Sequence, residues 1–238
     1  MVSIRLASII VANSFLKPQL APFFLKMKAK NGKTMEDYVS LTYNAFQRFP
    51  FSTLGWKINP QQIKEEIITL AKIVERKKPH VVMEIGTAQG GTLFLWTKAA
   101  SEDAIIISLD RREGGYRRRI PYYKSFAVKQ QQMYLITGNS HDHQILENLK
   151  KELHGKSIDF LFIDGDHTYE GVKMDFEMYR SLVREGGMIA FHDICLAPPE
   201  IGYEVEEYWT EIKDNYRYEE IIKNKNQGTA GIGILYLK

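Results

Sequence analysis

The strongest constraint on this chain is a set of five short apolar runs, each ending in small or polar residues. They are His80–Ile85 into Gly86-Thr87-Ala88-Gln89-Gly90, Ala104–Leu109 into Asp110, Met133–Thr137 into Gly138-Asn139-Ser140, Ile158–Ile163 into Asp164-Gly165-Asp166-His167, and Met188–Phe191 into His192-Asp193. They are rich in Val and Ile and show little alternation, the pattern of parallel strands covered on both faces. Helical stretches separate them, except that a basic insertion follows the second. One opens at Pro60, and others span 90–101, 141–153, 169–185 and 203–213, the fourth closed by Gly186-Gly187. Alternating strands and helices predict a doubly wound sheet with right-handed crossovers. In such a sheet, ligands bind outside the carboxyl ends of the strands. Polar groups far apart in the chain are therefore expected in one cleft.

Two last strand candidates, Tyr218–Ile222 and Ile232–Leu237, have no helix between them and pair most easily as antiparallel neighbours. The expected fold is α/β: a Rossmann-like, seven-stranded sheet, mostly parallel with an antiparallel last strand, plus an N-terminal helical extension. The boundaries expected are 1–55 for the extension and 56–238 for the main domain. A length of 238 residues and an apolar fraction of 44% suit one such domain with a sizeable core. A formal charge of +3 does not call for nucleic acid as a partner. A lone cysteine, Cys195, excludes an internal disulfide and fits a reducing, cytoplasmic setting.

The first 30 residues are apolar and basic, with no acid before Glu36. Packing on the main domain or in a homo-oligomer, weak contact with a membrane surface, and a signal segment are the three readings of such a stretch. No run reaches the ~18 apolar residues needed to span a bilayer.

The loop after the first strand reads Glu84-Ile85-Gly86-Thr87-Ala88-Gln89-Gly90. A dinucleotide fingerprint needs glycine where Ala88 stands. An acid at the strand end with a wider loop suits a nucleoside ligand that carries a cationic amino group and no phosphate. Asp110 ends the second strand, where an acid can accept hydrogen bonds from ribose hydroxyls. Asn139 and Ser140, after the third strand, are expected beside the base. Ser140 is also a candidate cap for the helix that follows.

With these residues in place, the chain resembles the class I S-adenosylmethionine-dependent methyltransferases over about residues 60–238. Phe162–Val172 and Gly186–Asp193 are its most specific stretches, similar to those of small-molecule O-methyltransferases of the macrocin O-methyltransferase and cephalosporin hydroxylase-like group. The resemblance implies O-methylation of a hydroxyl on a small molecule or glycosyl group. Glu84, Gly86, Thr87, Gly90, Asp110, Asn139, Ser140 and Asp164 would bind the cofactor. Asp164, His192 and Asp193 would ligate a divalent metal, Mg²⁺ or Mn²⁺, and His167 would act with Asp164 in catalysis as the general base. One departure is His192, where related enzymes mostly offer oxygen. Imidazole suits Mn²⁺ better than Mg²⁺. Moreover, consecutive residues of an extended strand point to opposite faces, so His192 and Asp193 can share an ion only if the strand ends or twists there.

The stretch Arg111–Tyr123 carries five arginines and three tyrosines. A solvated loop is its default reading. A lid over an anionic acceptor is the alternative, since arginine favours bidentate contacts with carboxylate or phosphate. A nicotinamide-dependent oxidoreductase and a non-catalytic binding protein are the competing functions.

Overall fold

The computed structural model describes residues 17–44, 57–111 and 113–238. Helices α1 (Lys17–Ala29), α2 (Met35–Asn44) and α3 (Lys64–Lys77) precede the sheet. Strands β1 (Val81–Ile85), β2 (Ile105–Asp110), β3 (Gln132–Thr137), β4 (Ile158–Ile163) and β5 (Val183–His192) alternate with α4 (Gly91–Ala99), α5 (Glu113–Lys124), α6 (His143–Glu152) and α7 (Tyr169–Tyr179). Helix α8 (Val205–Ile212), β6 (Arg217–Ile221) and β7 (Ile232–Tyr236) complete the chain. The order across the sheet is β3-β2-β1-β4-β5-β7-β6. Strands β1 to β5 are parallel, and β7 runs antiparallel to both β5 and β6.

Side chains alternate along each central strand between two apolar layers, as the two-residue strand period requires. Val82, Ile106, Phe160, Phe162 and Ala190 face α3, α4 and α5. Met83, Ile107, Leu161, Ile163 and Ile189 face α6, α7 and α8. The extension joins the first layer, with Ala21, Leu25, Met35 and Val39 all buried there. These two helices therefore build core. Residues 1–16 and 45–56, including part of the stretch considered for membrane contact, lie outside the described residues. No described helix is long and apolar enough to cross a membrane.

Three local expectations are corrected. The helix after Thr168 ends at Tyr179, and a 3₁₀ turn over Arg180–Leu182 leads directly into β5. Gly186 and Gly187 thus lie within the strand, beside a break in register between Ile158 and Phe160. Glycines that read as a helix stop serve here as a strand irregularity. Pro60 does not open α3, which begins at Lys64 after the cap residue Ile63. Instead Pro60 packs against Gly91, where an added Cβ would come within 2.6 Å of its nitrogen.

The third correction concerns the arginine-rich stretch, which from Glu113 onward is helix α5 and no solvated loop, Arg112 lying outside the described residues. Tyr116, Tyr122 and Tyr123 are almost wholly buried, Tyr122 and Tyr123 against Phe126 and Tyr116 against Tyr123. Tyr116 and Tyr123, seven residues apart, share one helix face, and Tyr122 widens the buried side by about a quarter turn. Burying the three rings outweighs the poor helix propensity of Gly114, Gly115 and Pro121.

Candidate active site

The loop from Gly86 to Gly90 is held from three sides. Its amides at Thr87 and Ala88 both donate to Asp110 Oδ2 at 2.9 Å. Ala88 takes a left-handed φ of 46°, so the backbone keeps a conformation usually left to glycine. From α5, the Tyr123 hydroxyl donates to the Ala88 carbonyl at 3.1 Å and Arg119 to the Gln89 carbonyl at 3.2 Å. The buried hydroxyls of Ser108 and Tyr116 lie 2.7 Å apart beneath the loop. Gly86 itself has φ 87°, and a Cβ there would lie 1.9 Å from the Asp164 carbonyl. The end of β1 and the start of the Asp164 loop meet too closely for any side chain.

A cleft of about 200 Å³ opens over this arrangement. Gly86, Asp110, Asn139, Ser140, Asp164 and His167 line it, together with Gln61, Arg111 and His141. Glu84, Thr87 and Gly90 do not. The Glu84 carboxylate is wholly buried beneath the loop, where it accepts from Trp96 Nε1 at 2.9 Å. Burial, opposed by hydrogen bonds from Thr92, Thr87 and Trp96, pushes it up to about 8. Ser140 is not the cap of α6. Asp142 is, accepting from Gln144 N at 2.8 Å.

Beside the cleft stands a cluster of two carboxylates and two imidazoles. His192 Nδ1 lies 3.0 Å from an oxygen of Asp164 and 3.0 Å from one of Asp193. His167 places Nε2 3.5 Å from Asp164 and Nδ1 3.6 Å from Asp193. Ligand atoms of Asp164, His167 and Asp193 all fall within 4.8 Å of one another. The sequence raised a difficulty for consecutive residues 192 and 193, and the backbone answers it. Asp193 has φ 63°, which ends the extended strand and turns its carboxylate to the same side as His192. Such strain in a non-glycine residue persists only when the surroundings enforce it. Here the Ala230 amide donates to Asp193 Oδ1 at 3.0 Å.

Electrostatics follow from this packing. Burial alone would raise the Asp164 carboxyl, but His192 and His167 outweigh it and bring it to about 2. Burial alone would lower His192, but Asp164 and Asp193 lift it to about 10. His167 is raised for the same reason. The two carboxylates thus draw positive charge into a secluded pocket.

Residues 83–194 match the family model described as a methyltransferase domain. An O-methyltransferase from Bacillus cereus, solved in complex with SAH, superposes with a TM-score of 0.57 at 17% identity, covering 90% of this chain and 96% of that one. The O-methyltransferase TomG from Streptomyces achromogenes, in complex with SAM, gives 0.56 at 12% identity, covering 87% and 92%. Residues 83–194 thus match a methyltransferase domain, and the chain shares the fold of these two O-methyltransferases.

Two curated relatives match over part of their length. The uncharacterised protein R132 of Acanthamoeba polyphaga mimivirus is 32% identical over 115 residues, 47% of this chain and 50% of that protein. The uncharacterised protein y4gI of Sinorhizobium fredii is 27% identical over 148 residues, 59% of this chain and 16% of that protein. The matches thus span at most half the length of these relatives. Around the cleft and its neighbouring cluster, three contributors escaped the sequence. Gln62 donates to Asp164 Oδ2 at 2.7 Å. The Tyr203 ring stands edge-on to His167 at 4.3 Å between centroids. Glu66, wholly buried on α3, accepts from the Gly231 amide at 3.0 Å and so braces the turn that holds Asp193. Each lies in an ordinary-looking stretch, and only long-range packing brings it to the site.

Proposed function

We propose that this chain transfers the methyl group of S-adenosylmethionine to a hydroxyl oxygen of a small molecule, with His167 taking the proton. The observation that carries this reading is the adjacency of the cleft lined by Gly86, Asp110, Asn139 and Ser140 to the Asp164, His167, His192 and Asp193 cluster. The cofactor supplies a methyl group activated by its sulfonium. The chain's task is to hold the acceptor oxygen in line and to remove a proton. Gly86 and its loop would hold the methionine end, Asp110 the ribose, and Asn139 and Ser140 the base. Asp164 and Asp193 stabilise the imidazolium that His167 becomes. Arg111 lines the same cleft and supports an anionic or glycosylated acceptor.

The cluster also fits a divalent cation. Two carboxylates and an imidazole within 4.8 Å form a mixed oxygen and nitrogen donor set, and His192 Nε2 is buried without a hydrogen-bond partner beside it. Asp164, His167 and Asp193 would hold the ion, which supplies Lewis acidity toward the acceptor hydroxyl. The imidazole favours Mn²⁺ over Mg²⁺.

Methyl transfer from labelled S-adenosylmethionine to a panel of catechols, sugars and hydroxy acids tests the reading, with His167→Ala as control. Failure of every hydroxyl acceptor, with transfer to amines or thiols instead, overturns it. A chelator separates the two roles of His167. Transfer that survives EDTA makes it the base. Loss restored by Mn²⁺ makes it a ligand.

A further inference from the structure

A second cleft, of about 340 Å³, opens between α1, α2, α4 and the end of α5. It shares no lining residue with the first. Leu25, Ala29, Tyr38, Phe94 and Phe126 give it apolar walls, and Lys26, Lys30, Lys98 and Lys129 stand around them. Only Lys129 has an acidic partner among the described residues, Glu102. The nearby carboxylates are engaged elsewhere: Glu36 pairs with Lys72, and Asp37 accepts from the Lys33 and Thr34 amides. Residues 1–35 and 45–56 contain no Asp or Glu.

Lys98 is the informative group. Its ammonium lies 4.8 Å from the Phe94 ring centre and donates to the Phe126 carbonyl at 3.2 Å. Burial, with a smaller contribution from Lys26, brings it down to about 8. A cation withdrawn from water beside an apolar wall is costly unless an anion compensates it. Among the described residues none stands there.

We infer that this cleft binds a single-chain acyl carboxylate, with its alkyl chain against Leu25, Phe94 and Phe126 and its head on Lys98, Lys26 and Lys30. The wall accounts for the chain and the unpaired lysines for the sign of the head. The inference does not depend on the acceptor or metal of the methyl-transfer site.

Calorimetric titration of the full chain with decanoate below its micellar concentration tests it, with butyrate and decyltrimethylammonium as controls. One decanoate per chain is expected, at least tenfold tighter than either control. Lys98→Met keeps the stem and removes the charge, and should weaken decanoate at least tenfold while leaving S-adenosylhomocysteine affinity unchanged. Ala29→Trp keeps every lysine and should abolish binding by filling the cleft. Equal binding of the cationic amphiphile, indifference to both variants, displacement by S-adenosylhomocysteine, or no binding at all overturns the inference. So does binding to anionic phospholipid vesicles without binding of monomeric decanoate, which would make this face a membrane surface.

Discussion

His192 and Asp193 are consecutive, yet His192 Nδ1 lies 3.0 Å from Asp193 Oδ2 because Asp193 leaves the extended conformation. One left-handed residue at the end of β5 puts two functional groups where an ordinary strand would put one. Asp193→Asn keeps the size and the tolerance for positive φ but removes the charge. We expect kcat to fall by roughly 10² or more, the range for loss of a proton-transfer partner, and the thermal midpoint to fall as well, because the buried His192 loses one of its two carboxylates. Near-normal turnover would remove Asp193 from the chemistry.

Glu66 acts one layer further out. Its carboxylate takes amides from Lys223 and Gly231 and the side-chain amide of Gln227. Glu66→Ala leaves buried donors unpaired, at about 1–3 kcal/mol each. Urea unfolding should show a loss of several kcal/mol by that principle. Glu66→Gln should recover part of it, because one carbonyl oxygen still accepts. A loss under about 0.5 kcal/mol, typical of surface sites, would contradict the bracing role.

Glu84 gives the domain a pH signature. Its folded value of about 8 exceeds the ordinary 4.5, so the folded state holds a proton that the unfolded chain has released. Stability conferred this way is full below pH 4.5 and declines as pH rises toward 8. The slope approaches about 1.4 kcal/mol per pH unit for a single group. Glu84→Gln still offers an oxygen to Trp96 and has nothing to ionise. The two proteins should match near pH 4.5, and the variant should be the more stable at pH 8. Parallel stability curves would refute a raised Glu84.

Tyr123 on α5 is expected to act on cofactor affinity through the loop it holds. Tyr123→Phe removes the hydroxyl that holds the Ala88 carbonyl while keeping the buried ring. Losing one hydrogen bond of about 1 kcal/mol should raise the KM for S-adenosylmethionine roughly fivefold, with kcat nearly unchanged. An unchanged KM would separate α5 from the loop it supports. Arg117 and Arg118, exposed on the outer side of this helix, should be replaceable without effect on either constant.

Much of the site was legible because strand ends announce themselves. A run of Val, Ile and Phe that stops at Asp110, Asp164 or His192-Asp193 marks a sheet edge, and topology gathers such edges into one place. Gln62, Glu66 and Tyr203 carried no such mark. Their partners lie far away in the chain, and local composition cannot encode a pairing of that kind. The α5 region misled for a related reason, since local propensity reads its glycines, proline and arginines as loop, while burial of three tyrosines decides otherwise.

What the sequence by itself determined is the alternation of elements, the mixed sheet and the set of chemical groups at its rim, because these follow from periodicity and from where apolar runs end. Only the tertiary structure decided which groups face the cleft. Glu84 and Asp110 are both acids at strand ends, but one is buried against Trp96 and the other lines the cleft. Glu84 is in register with Ser108, two residues before Asp110, so it lies one step deeper along the sheet, beneath the loop that Asp110 holds. Such choices are made by close packing over the whole fold, and no short stretch of residues contains them.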